Sequence, residues 1–532
     1  MRYSNDMKSL FPEKYHTSIY YFTLCILVIG MPISKFMISS AQIIMLCNWV
    51  LEGELKSKLI SFTKNKPALV LSSLLLMHFI GVLYTSNMHD AYLDLRTKLP
   101  LLVLPLIIST SAALPEKVFK FILELFIAAV LFASVVSIMV LTGILHHPVN
   151  DTRGISIFIS HIRFALLICV AIFSLVYLIS FYSSVLAKTV GYLLILWLVV
   201  FLGILESLTG IAVLITTLSI LMLYKVWKSK NRVLKYGVII MAVLGIALAG
   251  CYLRTLMKER MMKEDNIDYA ALDLQTPRGN EYLNAKHTLL TENGHPVWIY
   301  ICDKELRAVW NIRSKIAFDS IDKKGNPLRY TLVRFMASKG LRKDEDGIKT
   351  LSNEEIIAVE NGIPNVKYYH MNGLEERIYE TLWEIDLYQK TGDANGHSLT
   401  QRFEYWKTAL HIVKNNLLIG VGTGDVQKSF DEEFVKSNSK LDTQWRLHTH
   451  NQYLSIAVAF GIVGLIWFLF ALFYPMVKLN MTFDFLYITF FIIAMVSFLT
   501  EDTLETQAGV TFYAFLNSFL LFSRKKNEAT IQ

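Results

Sequence analysis

Apolar residues in this chain come in long blocks separated by short polar segments. Blocks of this length can cross a lipid bilayer as α-helices, so they predict an all-α integral membrane protein with about twelve transmembrane helices. No small-residue cleavage site follows the first block, which we therefore interpret as a retained span. The predicted spans lie near 17–36, 37–52, 68–86, 97–113, 118–145, 157–183, 187–206, 208–224, 235–254, 452–476, 482–500 and 508–523.

One long polar stretch interrupts this pattern between the ninth and tenth predicted spans. We therefore divide the chain into an N-terminal membrane region, 1–255, a loop domain, 256–449, and a C-terminal membrane region, 450–532. The loop contains several tryptophans and a capping-box spacing from Ser352 to Glu355. We predict that it folds as a small, mostly helical domain.

Basic residues concentrate in one set of short loops, at 56–66, 225–235 and 524–526. The positive-inside rule then places both termini in the cytoplasm and the large loop outside it. The chain is 53% hydrophobic with a net charge of +8, and orientation in a membrane explains that charge better than nucleic-acid binding does. The five cysteines form no spaced pairs, which argues against a disulfide framework or a cysteine metal site.

The segment His450-Asn-Gln-Tyr-Leu454 stands where the loop domain returns to the tenth predicted span. A neutral imidazole at the boundary between water and bilayer suits proton transfer from a sugar hydroxyl. An interfacial histidine that anchors the span is the structural alternative. A metal site with His448, His146 and His147 would lack an acidic partner at a recognised ligand spacing.

Arg402 lies in the segment 398–415, where aromatic and aliphatic residues recur at helical spacing. Ser398 and Gln401 have the spacing of an N-terminal cap, which would put Arg402 in the first turn. Free N–H groups there favour an anion, and a guanidinium could hold a phosphate through two hydrogen bonds. The alternatives are a solvated arginine or an ion pair with Glu404 or another carboxylate.

Arg163 lies within the sixth predicted span. If that helix begins near Ile155, Arg163 is roughly 12 Å below the outer surface, where an isolated charge is costly. It is therefore a candidate for binding an anion. The alternatives are a structural ion pair with Glu124 or Glu206, or extension of the side chain toward the headgroups.

Two further charged clusters lie near predicted outer helix ends. Arg96 and Lys98 could add positive potential for a diphosphate, or anchor the fourth span at the interface. Glu501, Asp502 and Glu505 crowd the last outer hairpin, where we favour a structural role over pairing with the arginines.

A glycine-rich segment, 420–425, has the composition of a nucleotide-binding loop. It lacks the preceding strand and the second half of that fingerprint, so we interpret it as a turn between two helices.

These residues together resemble the O-antigen ligase and polymerase family of bacterial envelope membrane proteins. The resemblance is carried by Arg-Phe-Glu-Tyr-Trp at 402–406, Gly-Val-Gly-Thr-Gly at 420–424, the motif at 450–454 and Gly-Ile-Val-Gly at 461–464. The predicted spans with one large external loop extend it over most of the chain. It implies a GT-C-like, metal-independent glycosyltransferase without a cofactor, in the bacterial inner membrane with its large loop in the periplasm.

The resemblance also implies roles for individual residues. The donor would be a glycan on undecaprenyl diphosphate. His450 would act as the base or orient the acceptor hydroxyl, Arg402 and Arg163 would bind the diphosphate, and Asn451 and the basic pair at 96 and 98 are auxiliary candidates.

The chain looks most like an O-antigen ligase, whose acceptor is a sugar hydroxyl of lipid A-core. The alternatives within the family are an O-antigen polymerase, which extends a second lipid-linked glycan, and a protein O-oligosaccharyltransferase. A transporter of lipid-linked glycan is the alternative from another class. A transporter is expected to show paired, interrupted spans in two related halves, and the predicted spans show no such symmetry.

Three features depart from the family pattern. Ser207-Leu208 stands where many relatives have Ser-Arg, and Ala459 stands where many have an acidic residue. The region 256–397 is also longer than the usual loop, and we predict that it shapes acceptor choice.

Overall fold

The computed structural model describes residues 12–148, 152–228, 268–285, 290–371 and 373–524, together with isolated residues between 233 and 255. Its described part is mostly helical. The two named strands, β1 (Thr291–Glu292) and β2 (His295–Pro296), pair antiparallel. The predicted all-α class agrees with this architecture.

The helices that precede the large polar stretch are short and closely spaced at first, then longer. They are α1 (Glu13–Ile33), α2 (Lys35–Leu51), α3 (Leu55–Lys64), α4 (Lys66–Val82), α5 (Met88–Lys98), α6 (Pro100–Thr110), α7 (Glu116–Leu141), α8 (His161–Ile179), α9 (Val185–Ile204) and α10 (Leu208–Lys228).

The remaining helices begin inside the polar stretch and continue to the C-terminal region. They are α11 (Asp303–Arg313), α12 (Leu328–Ser338), α13 (Glu345–Lys349), α14 (Asn353–Glu360), α15 (Gly373–Thr391), α16 (Ser398–Asn415), α17 (Val426–Lys436), α18 (Gln452–Lys478), α19 (Phe485–Thr500) and α20 (Gln507–Phe522).

Six of the described helices are long and apolar enough to cross a membrane, namely α1, α7, α8, α9, α10 and α18. Helices α2 and α3 would together make a seventh, with a bend of 112° between them. Helices α4, α19 and α20 are apolar but shorter. The ninth predicted span, 235–254, lies largely outside the described residues. The chain is thus a helical membrane protein, and the number of twelve spans stays a prediction.

Two predicted helix boundaries are wrong. The span predicted at 97–113 is divided, because α5 ends at Lys98 and α6 starts with Pro100, whose missing N–H suits a first helical position. Helix α8 begins at His161 rather than near Ile155, after a short 3-10 turn. Arg163 therefore lies in the first turn of α8, and the estimate that placed it roughly 12 Å along the helix fails.

The chain divides into two compact units. The first contains the described residues of 1–146, 155–222 and 401–532, and includes all the catalytic candidates. The second contains the described residues of 147–154 and 223–400.

The second unit has its own hydrophobic core, in which Trp310 and Phe335 are fully buried. The predicted capping box is confirmed: Ser352 Oγ accepts from the Glu355 N–H at 3.2 Å, and Glu355 Oε2 accepts from the Ser352 N–H at 2.8 Å. The buried carboxylate of Glu292 pairs with Arg334 at 2.6 Å. These contacts give the second unit a packed core, and the loop domain predicted over 256–449 stays a prediction.

Helix α18, in the first unit, is interrupted at Gly461, where φ is 63° and ψ is −163°. An interruption leaves backbone groups without their helical partners. The segment 417–422 supplies the missing partners through four backbone hydrogen bonds of 2.8 to 3.3 Å. They join Val421 to Val458, Gly422 to Ala459, Ile462 to Leu417 and Val463 to Leu418.

Glycine is required at this junction because the two backbones touch. A Cβ on Gly461 would lie 2.4 Å from the Leu418 backbone, and one on Gly420 would lie 2.3 Å from the Ala459 backbone. Both glycines also have positive φ. The prediction of a turn between helices is confirmed, since 420–425 connects α16 to α17. The turn also supplies hydrogen-bond donors to the interrupted backbone of α18.

This junction fixes two helices relative to each other. Helix α16 carries Arg402 and leads into the junction, while α18 begins two residues after His450. The other end of the turn is held by Asp425, which accepts from the N–H groups of Ser86 and Asn87 at 2.6 and 3.1 Å. The motifs at 420–424 and 461–464 thus hold the scaffold of the candidate site.

Candidate active site

His450 occupies a sharp turn of the backbone just before α18, with φ of 46°. Two side chains of α16 hold the residues that precede it. Tyr405 donates its hydroxyl to the Trp445 carbonyl at 2.6 Å, and Trp406 Nε1 donates to the Thr449 carbonyl at 2.9 Å. The Tyr405 ring also lies 5.8 Å from the His450 ring. The imidazole is therefore placed by the helix that carries Arg402.

Glu501 connects Arg402 to His450. Arg402 Nη2 donates to Glu501 Oε1 at 2.6 Å, and Glu501 Oε2 lies 3.8 Å from His450 Nδ1. Asp502 Oδ1 lies 3.6 Å from the same nitrogen. The last two distances exceed a hydrogen bond, so the carboxylates act on the imidazole mainly through their charge.

These charges change the protonation of His450. Burial favours the neutral ring, but Glu501 and Asp502 outweigh it and raise the pKa of His450 above its ordinary value. The carboxylates face Nδ1, which leaves Nε2 as the ring atom that can take a proton from a substrate.

The pKa of Asp502 is raised as well. Burial raises the pKa of its carboxyl, and the neighbouring carboxylates of Glu505 and Glu501 add to the effect, while His450 opposes it. A histidine and an acid whose pKa values are both raised share this turn. Such groups are typical of sites that transfer protons.

Arg163 contributes positive charge to the same turn. Glu501 and Asp502 are the carboxylates that act on its guanidinium. Glu124, one of the partners considered from the sequence, lies instead against Tyr182. Arg163 also lines a small cavity with Thr503 and Phe512. The structure therefore brings the two candidate arginines to one acidic turn.

Arg402 lies one residue further along its helix than the sequence indicated. Helix α16 begins at Ser398 itself, so Arg402 is the fifth residue, beyond the first turn with its free N–H groups. The predicted cap by Ser398 and Gln401 is therefore wrong by one position. The side chain has an ion pair with another carboxylate, Glu501, as one of the alternatives proposed.

The residues that follow His450 hold the loop in place. Asn451 Oδ1 caps α18 by accepting from the Leu454 N–H at 3.1 Å, and its Nδ2 donates to the Leu499 carbonyl at 3.0 Å. Gln452 Nε2 donates to Glu505 at 3.0 Å, and its Oε1 accepts from the Leu504 N–H at 2.7 Å. The motif at 450–454 thus ties α18 to the turn that contains the carboxylates.

The two basic auxiliary candidates differ in their surroundings. Arg96 is exposed on α5. Lys98 is 1% exposed and binds Asp94 and Glu505, the second at 2.6 Å. Lys98 is therefore part of a buried ionic network, and its charge is already balanced.

The main residues that sequence analysis undervalued are Glu501 and Asp502. The acidic cluster at 501–505 was visible in the sequence. However, 99 residues separate Arg402 from Glu501, so no local pattern predicted the ion pair between them.

Within the described residues, His450, Glu501 and Asp502 also place ligand atoms within 4.8 Å of one another, as a metal site requires. The guanidinium of Arg402 on Glu501 opposes a cation there.

The fold and this cluster define a class: a helical membrane protein in which a histidine, two carboxylates and two arginines gather beside helix ends. Residues 350–469 match the family model described as O-antigen ligase, which is less than a quarter of the chain but includes Arg402 and His450. This match supports assignment of the chain to the O-antigen ligase family and confirms the resemblance seen in the sequence. No curated protein matches the chain.

The family assignment implies a glycosyltransferase-type enzyme in general. It also implies, in general terms, a lipid-linked glycan and an acceptor as substrates.

Proposed function

We propose that this protein is an O-antigen ligase-like glycosyltransferase. It moves a glycan from undecaprenyl diphosphate to a sugar hydroxyl of lipid A-core, at the periplasmic face of the bacterial inner membrane. The observation that carries the proposal is the connection of Arg402 and His450 through Glu501. It joins a group suited to a diphosphate and a group suited to a hydroxyl in one cluster.

His450 acts on the acceptor. The hydroxyl oxygen attacks the anomeric carbon of the donor, and its proton passes to Nε2 of His450. Glu501 and Asp502 stabilise the imidazolium that results, since both lie within 4 Å of Nδ1. The raised pKa of His450 makes its neutral form a better proton acceptor.

The arginines act on the leaving group. The bond between the anomeric carbon and the diphosphate oxygen breaks, and its electron pair remains with the diphosphate. Arg402 has five N–H donors, and the bond to Glu501 uses one of them, so the guanidinium keeps donors that can bind the diphosphate. Arg163 adds a second cation, and fixed cations can stabilise this charge without a metal. Direct attack inverts the anomeric configuration.

Transfer with purified protein tests the proposal. The wild type, His450→Ala and a matched control, His411→Ala, receive undecaprenyl-diphosphate glycan with either lipid A-core or a second lipid-linked glycan. His411 is half exposed on α16 and pairs with Glu433 instead. We expect transfer to lipid A-core by the wild type and the control. Elongated lipid-linked glycan would identify a polymerase, and no transfer to either acceptor would contradict the proposal.

A further inference from the structure

A second polar site lies in the first unit, and His450 is not among the residues that line it. It is an open cavity of about 880 Å³, counted with its mouth, between α5, the start of α17 and α18. His448 lines this cavity, whereas His450 does not. Thr449, between them, is fully buried, and its hydroxyl bonds to Ser455 at 2.6 Å. The same loop therefore presents one histidine to each of two sites.

The floor of the cavity is a buried ionic network. Lys98 binds both Asp94 and Glu505, and His78 Nδ1 lies 2.8 Å from Asp94. Lys98 and His78 are 1% and 4% exposed. Burying charged groups in a membrane protein is costly, so such groups usually serve a site. Glu505 also accepts from Gln452, which couples this floor to the loop of His450.

The rim offers groups that bind hydroxyls. Asp90, Thr97, Gln427 and His448 line the cavity and are all partly exposed. Carboxylates, amides, hydroxyls and imidazoles are the donors and acceptors that suit a saccharide. Leu93 and Phe460 add apolar surface, as the faces of a sugar ring require.

The charge of the residues that line this cavity distinguishes it from a phosphate-binding site. Its lining carries three carboxylates, Asp90, Asp94 and Glu505, against the single lysine, Lys98. Carboxylates therefore outnumber the lysine in this lining, and their excess of negative charge disfavours a diphosphate. An uncharged, hydroxyl-rich ligand fits both the charge and the hydrogen-bonding groups.

We propose that this cavity is a saccharide subsite, which holds the glycan of one of the two substrates next to the His450 loop. The inference rests on the proposed transfer function for its biological meaning. Saccharide binding itself can be measured without transfer, so the two ideas fail separately.

Binding is tested by calorimetric titration of the full-length purified protein with two lipid-free probes. One probe is a phosphate-free core oligosaccharide, and the other is the glycan released from the donor. Asp90→Asn removes a charged acceptor without changing shape, and Leu93→Trp narrows the cavity. The matched controls are Glu432→Gln, an exposed carboxylate on α17, and Tyr92→Trp, an exposed neighbour on α5 that does not line the cavity.

We expect one probe to bind the wild type and both controls equally, and to bind each cavity variant about tenfold more weakly. Weakened binding of the core oligosaccharide assigns the subsite to the acceptor, and weakened binding of the donor glycan assigns it to the donor. Equal binding by cavity variants and controls would overturn the proposal. So would failure of both probes to bind the wild type. Saccharide binding without any transfer would leave the subsite standing and refute the transfer function alone.

Discussion

Arg402 Nη2 donates a hydrogen bond of 2.6 Å to Glu501, although 99 residues separate the two residues in the chain. The other oxygen of the same carboxylate faces His450. A substitution of Arg402 should therefore change the electrostatic environment of His450, because one side chain, Glu501, faces both residues. The proposed roles of the two residues, on leaving group and acceptor, are coupled through this carboxylate.

The first prediction concerns the shape of the cation at 402. Arg402→Lys keeps the charge but loses the planar group that can bind Glu501 and a diphosphate together. We expect Arg402→Ala to lose transfer activity and Arg402→Lys not to restore it, measured as initial rates at saturating acceptor. Full activity in Arg402→Lys would refute binding of the diphosphate through two hydrogen bonds.

The second prediction concerns pH. Because Asp502 raises the pKa of His450, Asp502→Asn should lower it. If neutral His450 takes the proton, the rate rises with pH through this pKa, so the rise should move to lower pH in the variant. Rate profiles between pH 5 and 9 measure the shift, with Glu432→Gln as a control that should not move. A shift to higher pH would contradict the assignment of His450 as the base.

The third prediction concerns the junction in α18. Gly461→Ala puts a side chain at positive φ and 2.4 Å from the Leu418 backbone, so it should lower the free energy of unfolding by at least about 1–3 kcal/mol. Thermal unfolding of purified protein measures the loss. Gly203→Ala on α9, where a Cβ lies within 4 Å of no atom among the described residues, is the control and should have little effect. Equal stability of the two variants would show that the junction does not need glycine.

The fourth prediction concerns the core of the second unit. Phe335 is fully buried on α12, and Phe335→Ala should cost about 3–5 kcal/mol because it leaves a cavity. Ile312→Ala on α11, where the side chain is 85% exposed, is the control. Protection from protease at the residues 290–366 reports on this unit directly. Protection equal to the wild type in Phe335→Ala would contradict an independent core.

The sequence was sufficient where a local pattern specifies the structure. The apolar blocks predicted the helical membrane class, and the spacing from Ser352 to Glu355 predicted a capping box that is present. The motifs at 402–406 and 450–454 identified two residues that the structure brings to one cluster. In each case neighbouring residues supply the whole signal.

Contacts between distant segments could not be predicted from the sequence. The pairing of Glu501 with Arg402 and the insertion of 417–422 into α18 depend on long-range packing that no periodicity encodes. The start of α8 was missed because the apolar run continues through residues 155–160, which do not join the helix. The glycines at 420 and 461 signalled a backbone constraint without showing which segments would meet.

The most direct test of the central claim is the initial rate of glycan transfer to lipid A-core in EDTA, compared among the wild type, His450→Ala and His411→Ala. The account predicts that the wild type and His411→Ala transfer glycan at similar rates without a metal, and that His450→Ala is inactive while its fold is intact. Transfer at the wild-type rate by His450→Ala would contradict it, as would activity that disappears in EDTA and returns with a divalent cation.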